Sequence, residues 1–211
     1  MTEATPYVPS IAEDIQLMLQ QRSGQLEPDQ VMPGGGALIE LALLGRIATD
    51  PKAGFLTEPA DNARLVVVDP SPTTSDMLDD ALAVLAARRP SFSYKLLQPV
   101  TAAVVPHLYS ALVRRGILRD TGGHPRGRAP LEIADEVVFL ERKSLLARAR
   151  SLPATVSDPR IGAVIDLLRN NSTYRGETGL LSIIAGDWYP PATKDVIASI
   201  LRGVRYLRTS Q

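Results

Sequence analysis

The segment from Leu38 to Ile47 constrains the fold of this chain more than any other. It reads Leu-Ile-Glu-Leu-Ala-Leu-Leu-Gly-Arg-Ile, so a helix over its first part is apolar on nearly every side. Gly45 is a typical helix stop, and Arg46 follows it directly. A helix without a polar face has to be surrounded by other elements, which predicts a central helix inside a larger bundle.

The composition excludes several kinds of site. A chain of 211 residues fits one domain, and its 45% hydrophobic content can supply a sizeable core. The 23 basic and 23 acidic residues give a net charge of zero, so anion binding requires a local cationic patch. There is no cysteine, which excludes disulfides, thiolate nucleophiles and iron–sulfur clusters, and two histidines are too few for a His-rich metal site.

No stretch of the sequence indicates a targeting or membrane-spanning segment. The first residues carry Glu3, Glu13 and Asp14 and no basic residue, a pattern that does not fit a signal peptide. Uninterrupted apolar runs, such as the one from Leu180 to Gly186, fall short of the roughly 20 residues that cross a bilayer. We therefore expect a cytoplasmic protein, or one attached peripherally to the cytoplasmic face of a membrane.

Start and stop signals divide the chain into helices and two small hairpins. Ser10-Ile-Ala-Glu13 is a capping box, which predicts a helix to about Gln21, and Pro159 after Ser157-Asp158 predicts another helix start. The pattern predicts a mainly α fold, a single-domain helical bundle ringed by amphipathic helices with two small β-hairpins, over residues 11–211, after a disordered or extended N-terminus of residues 1–10. Further predicted elements are a hairpin of strands 55–58 and 64–69, a helix capped by Thr74 or Ser75 and stopped by Pro90, helices over 94–98, 99–116 and 135–150, strands at 117–119 and 129–132, and a last helix after Pro190-Pro191.

Three motifs occur in an order that points to a known family. The helix and Gly stop of Leu38–Ile47 come first, the stretches Val66–Thr73 and Leu78–Leu82 follow, and Leu112–Leu118 repeats the Gly stop. Helix, Gly stop and short strand in this order and spacing resemble the Golgi phosphoprotein 3 family, and the chain is identified as a bacterial-type member. The similarity extends over most of the chain.

The resemblance implies a function and a mode of assembly. Eukaryotic members are peripheral membrane proteins that bind phosphatidylinositol 4-phosphate, which implies a non-enzymatic adaptor for anionic phospholipid headgroups that needs no cofactor. It also implies a protruding hairpin, here the loop of residues 120–128, through which the protein forms a homo-oligomer. The family's headgroup residues, a tryptophan and three arginines, correspond here to Gln25, Gly34, Ala102 and Val105, so none of the four is retained.

The triple glycine Gly34-Gly35-Gly36 is the first candidate anion-binding site. At a helix N-terminus its backbone N–H groups could bind a phosphate with the help of the helix dipole, in place of the missing loop arginine. The alternative is a flexible helix entry, since glycine usually serves as a permissive backbone residue. The motif is neither a Walker loop nor a dinucleotide fingerprint, because their further Lys and Gly residues are absent.

The second candidate is a cationic surface. If all its members faced an anionic leaflet, each would contribute about 1 kcal/mol, and the attachment would be weak and sensitive to salt. A structural role is the alternative for the two arginines before Gly116, because cations at a helix C-terminus complement its dipole. The candidate cations are Arg46, Arg114, Arg115, Arg119, Arg126 and Arg128.

The sequence alone leaves two other functions open. The stretch from Thr101 to Glu132, a helix, a Gly stop and a basic hairpin, has the shape of a winged-helix DNA-binding unit, although zero net charge makes nucleic acid an unfavoured partner. An enzyme is the other rival, but no nucleophile elbow or metal-ligand spacing occurs, so no catalytic or metal residue is predicted. Trp188-Tyr189 fits either a membrane interface or the core. Lipid docking predicts that the candidate arginines converge on one face without carboxylate partners.

Overall fold

The computed structural model describes residues 8–19, 29–50, 63–120, 131–152, 156–170 and 188–209. Helices dominate these residues and two small antiparallel sheets accompany them, which confirms the predicted mainly α fold. A 3-10 turn, Pro191–Thr193, precedes the last helix. In chain order the elements are α1 (Ile11–Leu19), α2 (Met32–Leu43), β1 (Ile47–Thr49), β2 (Arg64–Val67), α3 (Asp76–Ala86), β3 (Ser91–Phe92), α4 (Ser93–Arg114), β4 (Leu118–Asp120), β5 (Leu131–Ile133), α5 (Glu136–Ser151), α6 (Pro159–Asn170) and α7 (Lys194–Thr209).

Helix α2 is central, as its apolar sequence predicts. Every residue from Met32 to Ala42 is buried, and the helix packs against α1, α4, α6 and α7. It begins before the triple glycine rather than after it, because Pro33 fits the first turn and the carboxylate of Asp29 accepts the N–H groups of Val31 and Met32. The glycines consequently lie inside the helix.

Helix α4 is one continuous helix of 22 residues, whereas the sequence predicts two helices that meet at Pro99. Pro99 and Pro106 both lie inside it, and each removes one backbone donor. Burial outweighs that loss, because α4 packs against α2, α3 and α7 along its length. Its fully or nearly fully buried apolar side chains are Leu96, Leu97, Val100, Val104, Leu108 and Leu112.

The continuity of α4 also corrects the expectation that no segment reaches membrane-spanning length. By length and composition alone, α4 is apolar enough to cross a bilayer. Counting uninterrupted apolar runs misses it because polar residues such as Thr101 and His107 break the run. In this fold α4 is a core helix, and helices that form the core of a globular protein commonly have such a composition.

The first sheet has the strand order β1-β2-β3, and all its pairs are antiparallel. Leu65 of β2 pairs with Thr49 on one side and with Ser91 on the other. The predicted partner of β2, residues 55–58, lies outside the described residues. The described neighbours of β2 are β1, which the chain enters directly after the Gly45 turn, and β3, and the sequence does not reveal either pairing.

One local unit occurs twice: a helix, a glycine turn, a two-stranded hairpin and a second helix. After α2, Gly45 has φ +70°, its N–H donates to Ala42 O, and Arg46 N–H donates to Leu41 O, which is a Schellman turn. The same pattern surrounds Gly116, also at φ +70°, after α4. In both units the chain that returns from the hairpin donates two N–H groups to the carbonyl of the residue that follows the glycine.

Helix caps confirm other predicted boundaries. The Oγ of Ser10 accepts the N–H of Glu13 at 3.1 Å and the carboxylate of Glu13 accepts the N–H of Ser10 at 2.7 Å, which is the predicted capping box. At the start of α5, Asp135 Oδ1 accepts the N–H of Val138 at 3.0 Å. Helix α6 begins at Pro159 as predicted. The predicted end of α1 lies outside the described residues.

Candidate functional site

The three glycines do not form the predicted phosphate loop. Gly34, Gly35 and Gly36 are buried inside α2. The N–H of Gly34 donates to Thr101 Oγ1 at 3.0 Å, and the N–H of Gly35 donates to Val31 O at 2.9 Å. The hypothesis of an anion site at these residues is therefore corrected, because the helix starts before them and neighbouring helices cover them.

The glycines serve close packing instead of ligand binding. Each lets a different neighbour approach α2, with α4 beside Gly34, α6 and α7 beside Gly35, and α1 beside Gly36. A side chain at Gly34 would collide with backbone. The nearest atoms to an added Cβ would be Leu97 O and Thr101 Oγ1 at 2.5 Å for Gly34, Leu167 Cδ2 at 3.0 Å for Gly35, and Ala12 N at 3.0 Å for Gly36.

Arg46 forms an ion pair with Asp69. Hydrogen bonds from Ser71 and the Arg46 guanidinium lower the pKa of Asp69. The pair joins the turn after α2 to the segment that follows β2. Arg46 is therefore a structural contact between two ends of the first hairpin, and a carboxylate already compensates its charge.

The predicted cationic surface after α4 is largely neutralised. Arg115 pairs with Glu13 of α1, and Arg119 pairs with Glu132 of β5 at 3.2 Å. Arg114 is exposed, and within the described part of the chain it has no carboxylate partner. Arg126 and Arg128 lie outside the described residues, so their role stays a prediction. The structure thus does not unite the described candidates into one uncompensated cationic face.

Buried ion pairs around α1 were not foreseen from the sequence. Asp14 binds Arg142 of α5 through two hydrogen bonds, one of them Nε to Oδ1 at 2.6 Å. Burial raises the pKa of Asp14 and Glu40 even though guanidinium groups oppose the shift. The partners are far apart in the chain, 128 residues for Asp14 and Arg142, and no local pattern reveals them. We call this set the arginine belt, and its pairs are Glu13–Arg115, Asp14–Arg142 and Glu40–Arg160.

Trp188 and Tyr189 belong to the core. The Nε1 of Trp188 donates to Asp166 Oδ2 at 3.2 Å, and the hydroxyl of Tyr189 donates to the same oxygen at 3.0 Å. Tyr189 is only 3% exposed, and Trp188 packs on Gly162 of α6. Of the two interpretations for this dipeptide, the structure supports the core over the membrane interface.

A second basic surface, also missed by the sequence reasoning, lies where β2, β3, α4 and α7 meet. Phe92 stacks on Tyr94 with ring centroids 5.8 Å apart, and Tyr94 contacts Tyr206 at 4.8 Å. The guanidinium of Arg64 lies 5.2 Å from the centroid of Phe92, and the ammonium of Lys95 lies 5.7 Å from that of Tyr94. We call these five residues the aromatic corner.

The aromatic corner retains its positive charge. Arg64 and Lys95 are exposed, and neither has a carboxylate partner within the part of the chain that the structure describes. The exposed Arg88 and Arg89 lie just before β3. A sequence signal for this surface exists, since the run Arg-Arg-Pro-Ser-Phe-Ser-Tyr-Lys from residue 88 combines cations with aromatic rings.

The winged-helix interpretation does not agree with the geometry. A recognition helix has to enter a DNA groove, whereas α4 is packed against α2, α3 and α7. The side chains that α4 exposes in its middle, Ala102, Pro106 and Ser110, are uncharged. Zero net charge and this buried helix together disfavour DNA as a partner.

Among the described residues, no group of three or more His, Asp or Glu side chains could hold a metal ion. The pair His107 Nε2 and Asp80 Oδ2, 2.7 Å apart at the surface, joins α4 to α3. Of the positions that correspond to the family's headgroup residues, Gly34 is buried, Ala102 is exposed and Val105 is half-buried. Gln25 lies outside the described residues.

Comparison with protein families accounts for this order of elements. The sequence model of the family described as Golgi phosphoprotein 3 (GPP34) matches residues 11–200, from the first residue of α1 into α7. A search of curated proteins found no match. GPP34 is not a known enzyme family. The chain belongs to the Golgi phosphoprotein 3 family.

Proposed function

We propose that this protein is a non-enzymatic adaptor that attaches peripherally to an anionic membrane surface. Family membership is the observation that supports this function most directly, because the match covers nearly the whole helical bundle. Under this proposal the protein is cytoplasmic, and only a fraction of its molecules is bound to the membrane at any time.

The proposed ligand is an anionic phospholipid headgroup, with little selection for one phosphoinositide. Phosphatidylinositol 4-phosphate is the ligand that the family implies, and tight binding of a phosphomonoester usually needs several guanidinium groups. The described counterparts of the family's arginines are a buried glycine, Gly34, and the uncharged Ala102 and Val105. Surface charge should therefore set the affinity more than headgroup identity does.

Exposed cations without carboxylate partners would supply the attraction. Arg114 at the end of α4 is one such exposed cation, and Arg126 and Arg128 stay candidates from the sequence. Each cation close to an anionic leaflet contributes about 1 kcal/mol, so a few of them give weak attachment. Screening shortens the range of such forces to about 10 Å at 0.1 M salt, so we expect attachment to fall as salt rises.

We also propose that the protein forms a homo-oligomer through the loop of residues 120–128. The β4–β5 hairpin carries this loop, and the family resemblance implies that the hairpin protrudes. Replacing residues 121–128 with a Gly-Ser linker of equal length should yield a monomer by light scattering. If the linker variant has the same mass as the wild type, the oligomer contact lies elsewhere.

Vesicle flotation tests the proposed function. Three kinds of vesicle are compared: phosphatidylcholine alone, phosphatidylcholine with phosphatidylserine, and phosphatidylcholine with phosphatidylinositol 4-phosphate at matched surface charge. We expect similar binding to both anionic kinds, little binding to the neutral kind, and release by salt. A strong preference for phosphatidylinositol 4-phosphate at matched charge would contradict the proposed lack of headgroup selection. If the protein binds neither kind of anionic vesicle, the proposed function is wrong. Nanomolar binding to a DNA duplex without vesicle binding would favour a DNA-binding function.

A further inference from the structure

We propose that the aromatic corner (Arg64, Phe92, Tyr94, Lys95 and Tyr206) is the surface with which this protein contacts the headgroup layer of an anionic bilayer. This inference rests on the proposed function and identifies its docking surface. It moves the contact away from the hairpin end of α4, where carboxylates already compensate most described arginines.

The rings of the corner are fixed by their neighbours. Phe92, Tyr94 and Tyr206 form a continuous row with centroid separations of 5.8 and 4.8 Å. Gly203 of α7 makes the row possible, because a Cβ there would collide with Ser93 Oγ and lie 2.8 Å from Tyr94 N. Binding would therefore immobilise few additional rotamers, and the entropy lost on docking is small.

Charge complementarity identifies the occupant as anionic. Arg64 and Lys95 lie over ring faces, are exposed, and are free of carboxylate partners within the described residues. Arg88 and Arg89 add two exposed cations directly before β3. Across from Arg64, the backbone N–H of Asp50 donates to Arg64 O at 2.7 Å, and Asp50 has a further contact of its own.

The arrangement of the rings favours a membrane over a single-stranded nucleic acid. Bases bind proteins by stacking on free aromatic faces. Here Arg64 covers Phe92, and Tyr94 contacts Phe92, Tyr206 and Lys95, so the ring faces are largely taken. Tyr206 is 53% exposed. Exposed tyrosine edges beside arginine and lysine are typical of the interfacial layer of a bilayer.

Partitioning of purified full-length variants onto phosphatidylcholine–phosphatidylserine vesicles tests the inference. The corner variant is Arg64→Gln with Lys95→Gln. The matched control is Arg148→Gln with Arg205→Gln, which removes the same charge from two exposed arginines without carboxylate partners in the described chain. Loss of one cation at an anionic surface weakens binding about five-fold, so the corner variant should lose about 25-fold and the control less than about two-fold.

The outcomes separate this inference from the proposed function. If wild type binds and the control loses as much as the corner variant or more, the inference is overturned while the function stands. If wild type fails to bind anionic vesicles, the function itself fails. A third variant, Tyr206→Ser, keeps every cation and should still lose binding several-fold if the ring contributes at the interface. Unchanged binding of that variant would overturn the aromatic part of the inference.

Discussion

The buried carboxylate of Glu40 connects three helices. Its Oε2 accepts the N–H of Ile11 at 3.0 Å, and its Oε1 pairs with Arg160 at 2.6 Å. Arg160 also donates to Pro9 O at 2.9 Å. The side chain thus links the central helix α2 to the starts of α1 and α6, although desolvation opposes its charge.

The titration of Glu40 makes stability depend on pH in a defined direction. Burial raises its pKa above the usual 4.5, so the folded protein binds this proton more tightly than the unfolded chain. The contribution of Glu40 to the free energy of unfolding is then full below pH 4.5 and is lost as pH rises through the higher folded pKa. Glu40→Gln cannot titrate and can still accept the N–H of Ile11.

Urea unfolding of wild type and Glu40→Gln at a series of pH values measures this effect. We expect wild type to lose stability relative to the variant as pH rises above 4.5. Parallel pH profiles for the two chains would mean that Glu40 has the same pKa in both states. A variant that gains stability relative to wild type only as pH falls would reverse the sign and contradict the account.

Local sequence patterns predict contacts between residues that are close in the chain, but not contacts between distant ones. The Ser10–Glu13 capping box was predicted correctly because both partners lie within one helical turn. The partners of Glu13 and Asp14, which are Arg115 and Arg142, lie more than a hundred residues away. Each of these arginines carries the same local signal as a free cation, so only the tertiary fold tells a structural arginine from an available one.

Among the elements, α2 depends on the absence of side chains at its start. Gly34 lies against the backbone of α4, where an added Cβ would be 2.5 Å from Leu97 O. The next residue, Gly35, lies against the side-chain ends of Leu167 and Val204, at 3.0 and 3.2 Å from such a Cβ. A side chain at Gly34 would force α2 and α4 apart. A side chain at Gly35 would need only small shifts of the neighbouring side chains.

We therefore predict that Gly34→Ala destabilises the protein more than Gly35→Ala does. Overpacking against a rigid neighbour typically costs about 1–3 kcal/mol, and the better helix propensity of alanine offsets up to about 1 kcal/mol in both variants. Urea denaturation with a common slope gives the two differences in unfolding free energy. If Gly34→Ala is as stable as Gly35→Ala, the close approach of α2 and α4 is not what the structure indicates.

The sequence predicts the end of a helix correctly where the stop signal lies in the adjacent residues. Both Gly stops, at Gly45 and Gly116, form the turns that glycine favours, and each has φ +70°. The continuity of α4 through Pro99 did not follow, because burial against three helices decides it. The pairing of β2 with β1 and β3 also escaped prediction, since it depends on where the Gly45 turn directs the chain.

At the scale of the whole molecule, the equal numbers of basic and acidic residues conceal an uneven distribution. Carboxylates compensate the arginines of the belt, Arg115 among them, and Arg46 beside the first Gly turn. The aromatic corner keeps Arg64 and Lys95 uncompensated within the described chain. Motif order was enough to predict the family and the bundle, while the choice of candidate surface required knowing which cations are already paired.

Hydrogen–deuterium exchange of the full-length protein with vesicles tests this account most directly. The amides to follow are those of β3, the first turn of α4 and the last turn of α7, which flank the aromatic corner and lie at element ends. With anionic vesicles we expect exchange to slow at these amides, and with phosphatidylcholine alone we expect no change. Protection confined to the end of α4 and the β4–β5 hairpin, or no protection anywhere, would contradict the account.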